Sequence, residues 1–135
     1  MRPPKPPRIV SEGRRARGQA AHREGHRGEW VAALWLMLKG YQILGFRLKT
    51  RAGEIDVLAR KGSVLAVVEV KRRAELEAAR LALKAHQHDR LIAAGQAVLR
   101  QRPSLAGHVL RIDIVALAPR RFPIHVRAVV REGSP

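Results

Sequence analysis

Cysteine is absent from this 135-residue chain. Disulfides, thiolate chemistry and Cys-based zinc sites are thereby excluded, and a reducing cytosol is a compatible compartment. Aromatic residues make up only 4%, too few for the stacking platforms of dedicated single-strand binders. The longest strongly apolar stretch, "WVAALWLML", has nine residues, far short of a bilayer span. The opening "MRPPKPPRIV" is basic, but no apolar region or small-residue cleavage site follows it. A secretory signal is not read there, and a cytoplasmic protein without membrane attachment is expected. Acids are also scarce: Asp and Glu number 11 against 27 Lys and Arg, a formal charge of +16. That excess predicts attraction to a polyanion, nucleic acid first and an anionic membrane or RNA-associated surface after it. An Arg-rich codon usage would give the same excess with no partner.

What is present reads as one globular domain, since 46% of the residues are hydrophobic and the length allows a modest core. Residues 1–10, with four prolines in the first eight positions, read as an extended or disordered basic arm. Residues 11–131 read as the folded domain and 132–135 as a tail. Ser11 is an acceptable N-cap for a weak helix that Gly18, Gly25 and Gly28 interrupt. From Glu29 to Lys39 the pattern is helical, with Trp30, Ala33, Leu34, Met37 and Leu38 on one face and Gly40 as the stop. "YQILGFRLKT", "EIDVLA" and "VLAVVEV" read as three strands with short, antiparallel connections. Residues 72–83 read as charged and loop-like. A helix is expected over Lys84–Arg102, limited by Pro103, then a strand "HVLRIDIVAL" and a short edge strand in "IHVRAVV".

The acids inside this apolar hairpin need an explanation. Side chains alternate along a strand, so Leu65, Val67, Glu69 and Lys71 share one face. A two-residue turn at Lys61-Gly62 or Gly62-Ser63 sets Asp56 opposite Val67 or Glu69, and either register leaves Asp56 and Glu69 within reach of one ion. Burying such charges alone costs several kcal/mol, and paired carboxylates repel. A divalent cation removes both problems. Mg²⁺ takes one or two carboxylates plus waters and phosphate oxygens, and Lys71 can position water or stabilise charge on a phosphate. The plainer alternative is a salt bridge from Lys71 to Glu69 or Asp56 at the wet end of the sheet.

Other signals are weaker. Arg47, Lys49, Arg51, Arg72 and Arg73 surround the acids in sequence and suit phosphate contact, or a solvated rim. Arg14, Arg15, Arg17, Arg23 and Arg27 form a second basic group. Trp30 and Trp35 lie about 140° apart on a helix, so at least one belongs to a core or an interface. His86 and His88, at i and i+2, do not face each other as a metal pair. Asp113, inside an apolar strand, reads as a structural hydrogen-bonding residue. No Gly-rich phosphate loop follows a strand, and no Ser-His-Asp pattern stands out.

"RGEWVAALWLMLKGYQIL", "TRAGEIDVLAR" and "VVEVKRR" resemble the small bacterial UPF0102 (YraN-like) proteins. Those in turn resemble archaeal Holliday-junction resolvases of the PD-(D/E)xK nuclease superfamily. The resemblance runs over about residues 25–130 and includes "HQHDRL" and "RIDIVAL". It implies an α/β, restriction-endonuclease-like core: a mixed β-sheet flanked by helices in the order αβββαβ. It implies that Asp56, Glu69 and Lys71 match the acidic and E-x-K positions, that Glu29 matches a helix-borne Glu, and that Gln87 matches an accessory Gln. Ile55 stands where the motif's Pro would be. The implied cofactor is Mg²⁺ or Mn²⁺, held by Asp56 and Glu69 with the Val70 carbonyl as a further ligand. The implied activity is an endodeoxyribonuclease hydrolysing phosphodiesters of DNA, branched or junction DNA included, and a two-fold homodimer would suit a four-way junction. The alternative is a nucleic-acid-binding module that keeps the fold without turnover.

Overall fold

The computed structural model describes residues 28–133. The basic arm, the weak helix from Ser11 and the basic group from Arg14 to Arg27 lie outside the described residues.

Helix α1 covers residues 28–38. It ends at Gly40, where φ is +93°, a left-handed turn that glycine takes without Cβ strain. The Tyr41 N–H then donates back to the Leu36 carbonyl at 3.0 Å. Three strands follow: β1 (Gln42–Thr50), β2 (Gly53–Lys61) and β3 (Val64–Arg72). Helices α2 (Arg73–Ala78) and α3 (Ala85–Gln101) lead to β4 (Val109–Leu117) and β5 (Ile124–Val126). The sheet order is β1-β2-β3-β4-β5. Only β3 and β4 are parallel; the other neighbours are antiparallel. A parallel pair needs a long crossover, and α2 with α3 supplies it. The fold is therefore α/β, with a mixed sheet.

Helix α2 corrects the expectation of an irregular 72–83 segment. Its six residues are too few for a helical period to show in sequence. Buried Leu76 anchors it, and ion pairs Arg72–Glu75 at 2.6 Å and Arg73–Glu77 at 3.1 Å hold its outer side.

Two cores sandwich the sheet. On one face Leu91, Ala94 and Val98 of α3 pack on Ile55, Leu58, Leu65, Val67, Ile112 and Ile114. Gly95 allows the closest approach: a Cβ there would stand 2.5 Å from Leu110 Cδ1. On the other face Ala32 and Leu36 of α1 pack on Val57, Ala59, Ala66, Val68 and Val115. This corrects the expected orientation of α1. Its large apolar stripe points outward, with Trp30 61%, Leu34 56% and Leu38 74% exposed. Periodicity finds a stripe but not which side the sheet takes. Here the sheet takes the small alanines, which let the helix backbone approach closely.

Strand β1 bulges between Ile43 and Gly45, where its register on β2 shifts by one residue, and the first two strands break the alternation rule again further along. Val57 packs on the α1 side and Ile55 on the α3 side. Phe46 meets Trp30 of α1, with ring centroids 5.0 Å apart, while Leu48 packs on the α3 side. Residues two apart should share a face, so each strand reverses between them, at Asp56 and Arg47. Arg47 carries the distortion, with φ +47°, a backbone state costly to a non-glycine residue.

A buried polar cluster fixes the sheet's far edge. Asp113 is fully buried. It accepts from Arg111 Nε at 2.8 Å, pairs with His125 Nε2 at 2.8 Å and accepts from the Ala128 N–H at 3.1 Å. Burial alone would raise its carboxyl; the hydrogen bonds from His125, Arg111 and Ala128 overcome that and hold it below the ordinary value. The structural role read for Asp113 is what these contacts provide.

Candidate active site

The β2–β3 turn is Gly62-Ser63, because Lys61 pairs with Val64. Gly62, at φ +57°, suits a tight two-residue hairpin turn. The same register carried along the strands sets Asp56 opposite Glu69. The ladder itself ends at Val57–Val68. One step further the Asp56 side chain replaces a backbone acceptor: Oδ2 takes the Val70 N–H at 2.8 Å. The reversal at Asp56 thus turns a carboxylate toward β3 where the strands part.

Glu69 projects from the face that carries Leu65 and Val67, toward α3. Its side chain is 17% exposed, and Oε2 stands 3.7 Å from Arg90 Nη2. That is too long for a hydrogen bond, and Oε2 has no hydrogen-bond partner. Burial, then the neighbouring Asp56 charge and a hydrogen bond with it, push the Glu69 carboxyl up to about 7; Lys71 and Arg90 oppose them. Two carboxyls forced together compete for one proton or one cation.

Lys71, two residues on, borders two cavities. The larger, about 610 Å³, is also lined by Glu29, Asp56, Arg72 and Glu75. The smaller, about 220 Å³, is lined by Glu75, Leu76, Gln87 and Ile114. Lys71 forms no ion pair among the described residues, so the closed Lys71 salt bridge is not the arrangement found. Glu29, on α1, is buried at 6% exposure. Burial raises its carboxyl; the Arg47 charge lowers it and the Asp56 and Glu54 charges raise it. The structure therefore sets Glu29, Asp56 and Lys71 around the larger cavity, with Gln87 across Lys71 in the adjoining one; Glu69 lines neither and joins the group through Asp56 and Arg90.

The basic residues divide. Arg47 is held between Glu29 at 3.6 Å and Glu54 at 3.1 Å. Arg72 reaches the large cavity while pairing Glu75. Arg73 lines a different recess, with Arg120 and Arg121. Lys49 and Arg51 are exposed near the β1–β2 turn and line none of these cavities.

Sequence reasoning missed Arg90. Its guanidinium spans the site, donating to the Glu54 carbonyl at 3.1 Å and facing Glu69. Gly53 makes room for it, since a Cβ there would stand 2.8 Å from Nη1. The available signal was spacing: Arg90 lies three residues from Gln87 and one from buried Leu91, on the sheet-facing side of α3.

The residues fit a hard divalent cation. An orphaned, buried carboxylate oxygen on Glu69 beside Asp56 is an oxygen-ligand pair, the set Mg²⁺ and Mn²⁺ accept. No group of three or more His, Cys, Asp or Glu side chains converges as a metal set among the described residues, and Mg²⁺ does not need one, because it keeps several waters. No helix among the described residues is long and apolar enough to cross a membrane.

Comparison with known proteins gives the chain a family. The model of "Uncharacterised protein family UPF0102" matches residues 28–117, a span holding Glu29, Asp56, Glu69, Lys71, Gln87 and Arg90. A UPF0102 protein of Caulobacter sp. (strain K31) is 52% identical over 126 residues, covering 93% of this chain and 89% of that protein. UPF0102 protein Atu0303 of Agrobacterium fabrum is 45% identical, covering 87% of this chain and 96% of its own. A UPF0102 protein of Methylorubrum extorquens (strain PA1) is 44% identical, with 93% of each chain covered. The match extends over most of the chain and over the whole sheet from β1 to β4: this protein belongs to the UPF0102 family.

Proposed function

We propose that the protein is a metal-dependent endonuclease of the PD-(D/E)xK type, hydrolysing phosphodiesters of DNA. The observation that supports this most is Glu69: a buried carboxyl whose Oε2 lacks a hydrogen-bond partner, next to Asp56, with Lys71 on the same strand face. Asp56 and Glu69 would hold Mg²⁺ or Mn²⁺, which supplies charge stabilisation at a phosphoryl oxygen and a more acidic water. Lys71 orients the attacking water and offsets negative charge gathering on the phosphate. Glu29, whose carboxyl is raised by burial, hydrogen-bonds that water from the opposite cavity wall. Gln87 limits the swing of the Lys71 amine. Arg72 lies at the cavity mouth, where a backbone phosphate would pass. The formal charge of +16 favours encounter with DNA at low salt.

The test is incubation of purified protein with branched, flapped and linear DNA in Mn²⁺. Wild type is expected to cut, and Glu69→Ala and Lys71→Ala are not. Equal cleavage by all three would assign the activity to a contaminant and overturn the proposal. Salt-sensitive DNA binding with no Mn²⁺ effect on any property would favour the non-catalytic binding module.

A further inference from the structure

Beside the acids lies a further recess of about 260 Å³, lined by Glu29, Trp30, Phe46 and Arg47. Glu29 also lines the large cavity with Asp56 and Lys71, so the two share a wall. Trp30 is 61% exposed and Phe46 36%. Their rings touch at 5.0 Å with a 35° tilt. Of the chain's two Trp and two Phe, one of each thus meets in solvent at the rim of a charged site; the other two, Trp35 and Phe122, pair elsewhere with centroids 5.7 Å apart.

The placement follows from the backbone. The bulge of β1 between Ile43 and Gly45 and the left-handed Arg47 set Phe46 on the α1 side, away from Leu48, and Asp56 turns toward β3, where it accepts the Val70 N–H. This irregular stretch of β1 and β2 carries both the carboxylate pair and the aromatic pair. Arg47 lies between them, fixed by Glu29 and Glu54, and its guanidinium edge walls the recess.

We propose that Trp30 and Phe46 form a stacking face for one unpaired nucleobase adjoining the scissile phosphate, so that DNA with an unpaired nucleotide (a flap, gap or branch) is the substrate class. This rests on the hydrolytic reading for the position of that phosphate. At 5.0 Å the rings leave no gap between them, so the base lies on the outer face of Trp30. Paired bases already stack on their neighbours and cannot offer a free face; an unpaired base can. The low aromatic content excludes an extended platform, but one base needs only one.

The test measures binding with no divalent ion present. Labelled duplex carrying a short single-stranded flap is compared with the fully paired duplex of the same sequence, by fluorescence anisotropy. Trp30→Ala is expected to weaken flap binding about tenfold, the equivalent of about 1.4 kcal/mol of stacking, and to change duplex binding less than twofold. Phe46→Ala should shift the ratio the same way, and Trp30→Phe should restore most of it. Leu38→Ala, on the same exposed stripe but outside the recess, should bind both as wild type does. Equal effects of Trp30→Ala on both DNAs, or none, would overturn the proposal. So would a matching loss in Leu38→Ala with a dimer-to-monomer change in sedimentation, which would give this face to a second copy of the chain. The two readings separate cleanly: a Trp30-dependent flap preference without Mn²⁺ cleavage refutes hydrolysis alone, and cleavage without that preference refutes stacking alone.

Discussion

Glu69→Gln is expected to make the metal-free protein more stable at pH 8 while leaving it unchanged at pH 4. Glu69 is 17% exposed, and its carboxyl is raised from 4.5 to about 7 by burial and by Asp56. A carboxyl that binds its proton more tightly when folded stabilises the folded state only while it is protonated. Below about 4.5 folded and unfolded chains are both protonated and nothing is lost. Between 4.5 and 7 the unfolded chain releases the proton and the folded one retains it, so stability falls with rising pH. Above 7 the whole loss is present. At about 1.4 kcal/mol per pH unit it reaches about 3 kcal/mol, or on the order of 10 °C in melting temperature for a domain of this size. Glutamine keeps the shape and removes the ionisation, so the loss should vanish. Urea unfolding in chelator, followed by circular dichroism at pH steps from 4 to 8, measures it. Adding Mn²⁺ at pH 8 should raise the stability of wild type by mass action and leave Glu69→Gln unmoved. Parallel wild-type and variant curves across that range, or equal Mn²⁺ effects, would refute the claim that an uncompensated buried carboxylate sits here.

Three other outcomes are expected. Lys71→Ala should keep the Mn²⁺-induced stabilisation yet lose cleavage by at least about 100-fold in a single-turnover assay, since the amine acts on water rather than on the ion. Gly95→Ala should destabilise by roughly 1–3 kcal/mol in urea unfolding, because its Cβ would stand 2.5 Å and 2.9 Å from the Leu110 methyls. Asp113→Ala should cost about 3–5 kcal/mol at neutral pH by the same measurement, because Arg111 and His125 lose a buried partner. As its carboxyl is lowered in the fold, that difference should shrink as the pH falls below 3.8 and the wild-type pair protonates.

The parts of the fold visible in sequence are those that regular spacing dictates. A two-residue turn around Gly62 between two apolar runs yields a hairpin, and both registers it allows, Lys61-Gly62 or Gly62-Ser63, leave Asp56 and Glu69 within reach of each other; only the structure selects Gly62-Ser63. Leu91, Gly95, Val98 and Arg102 recur on one side of α3 at the helical period; the first three are buried, while Arg102 is the helix's C-cap. The orientation of α1 was not visible, because Trp30, Leu34 and Leu38 make as good a stripe as a core helix has. What decides the matter is the sheet face of Val57, Ala59, Ala66, Val68 and Val115, which accepts Ala32 and Leu36, and that is a property of residues far away. Spacing put Arg90 near the sheet side of α3 but not its partner, for a related reason: its value lies in reaching over Gly53 from another element, and a glycine advertises room without saying for whom. The reversals at Arg47 and Asp56 contradict the alternation on which strand reading depends, so no pattern count could have located them.

That contradiction is also where the chemistry gathers. A regular β2 would send Asp56 to a fixed face and satisfy the Val70 N–H with a backbone carbonyl. Here the carboxylate accepts that N–H instead, so one residue both ends the ladder and presents a negative charge at the opening it creates. Glu69, on the still regular β3, cannot turn away from it. The left-handed Arg47 is held in its unfavourable backbone state by Glu29 and Glu54, which ties the helix-borne acid to the same distortion. Strain, desolvation and like-charge repulsion thus coincide within a few residues of an otherwise well-packed sheet. Selection for stability alone would remove the desolvation and the repulsion by a single substitution at Asp56 or Glu69. On the function proposed above, a cation recruited by the folded chain would offset both.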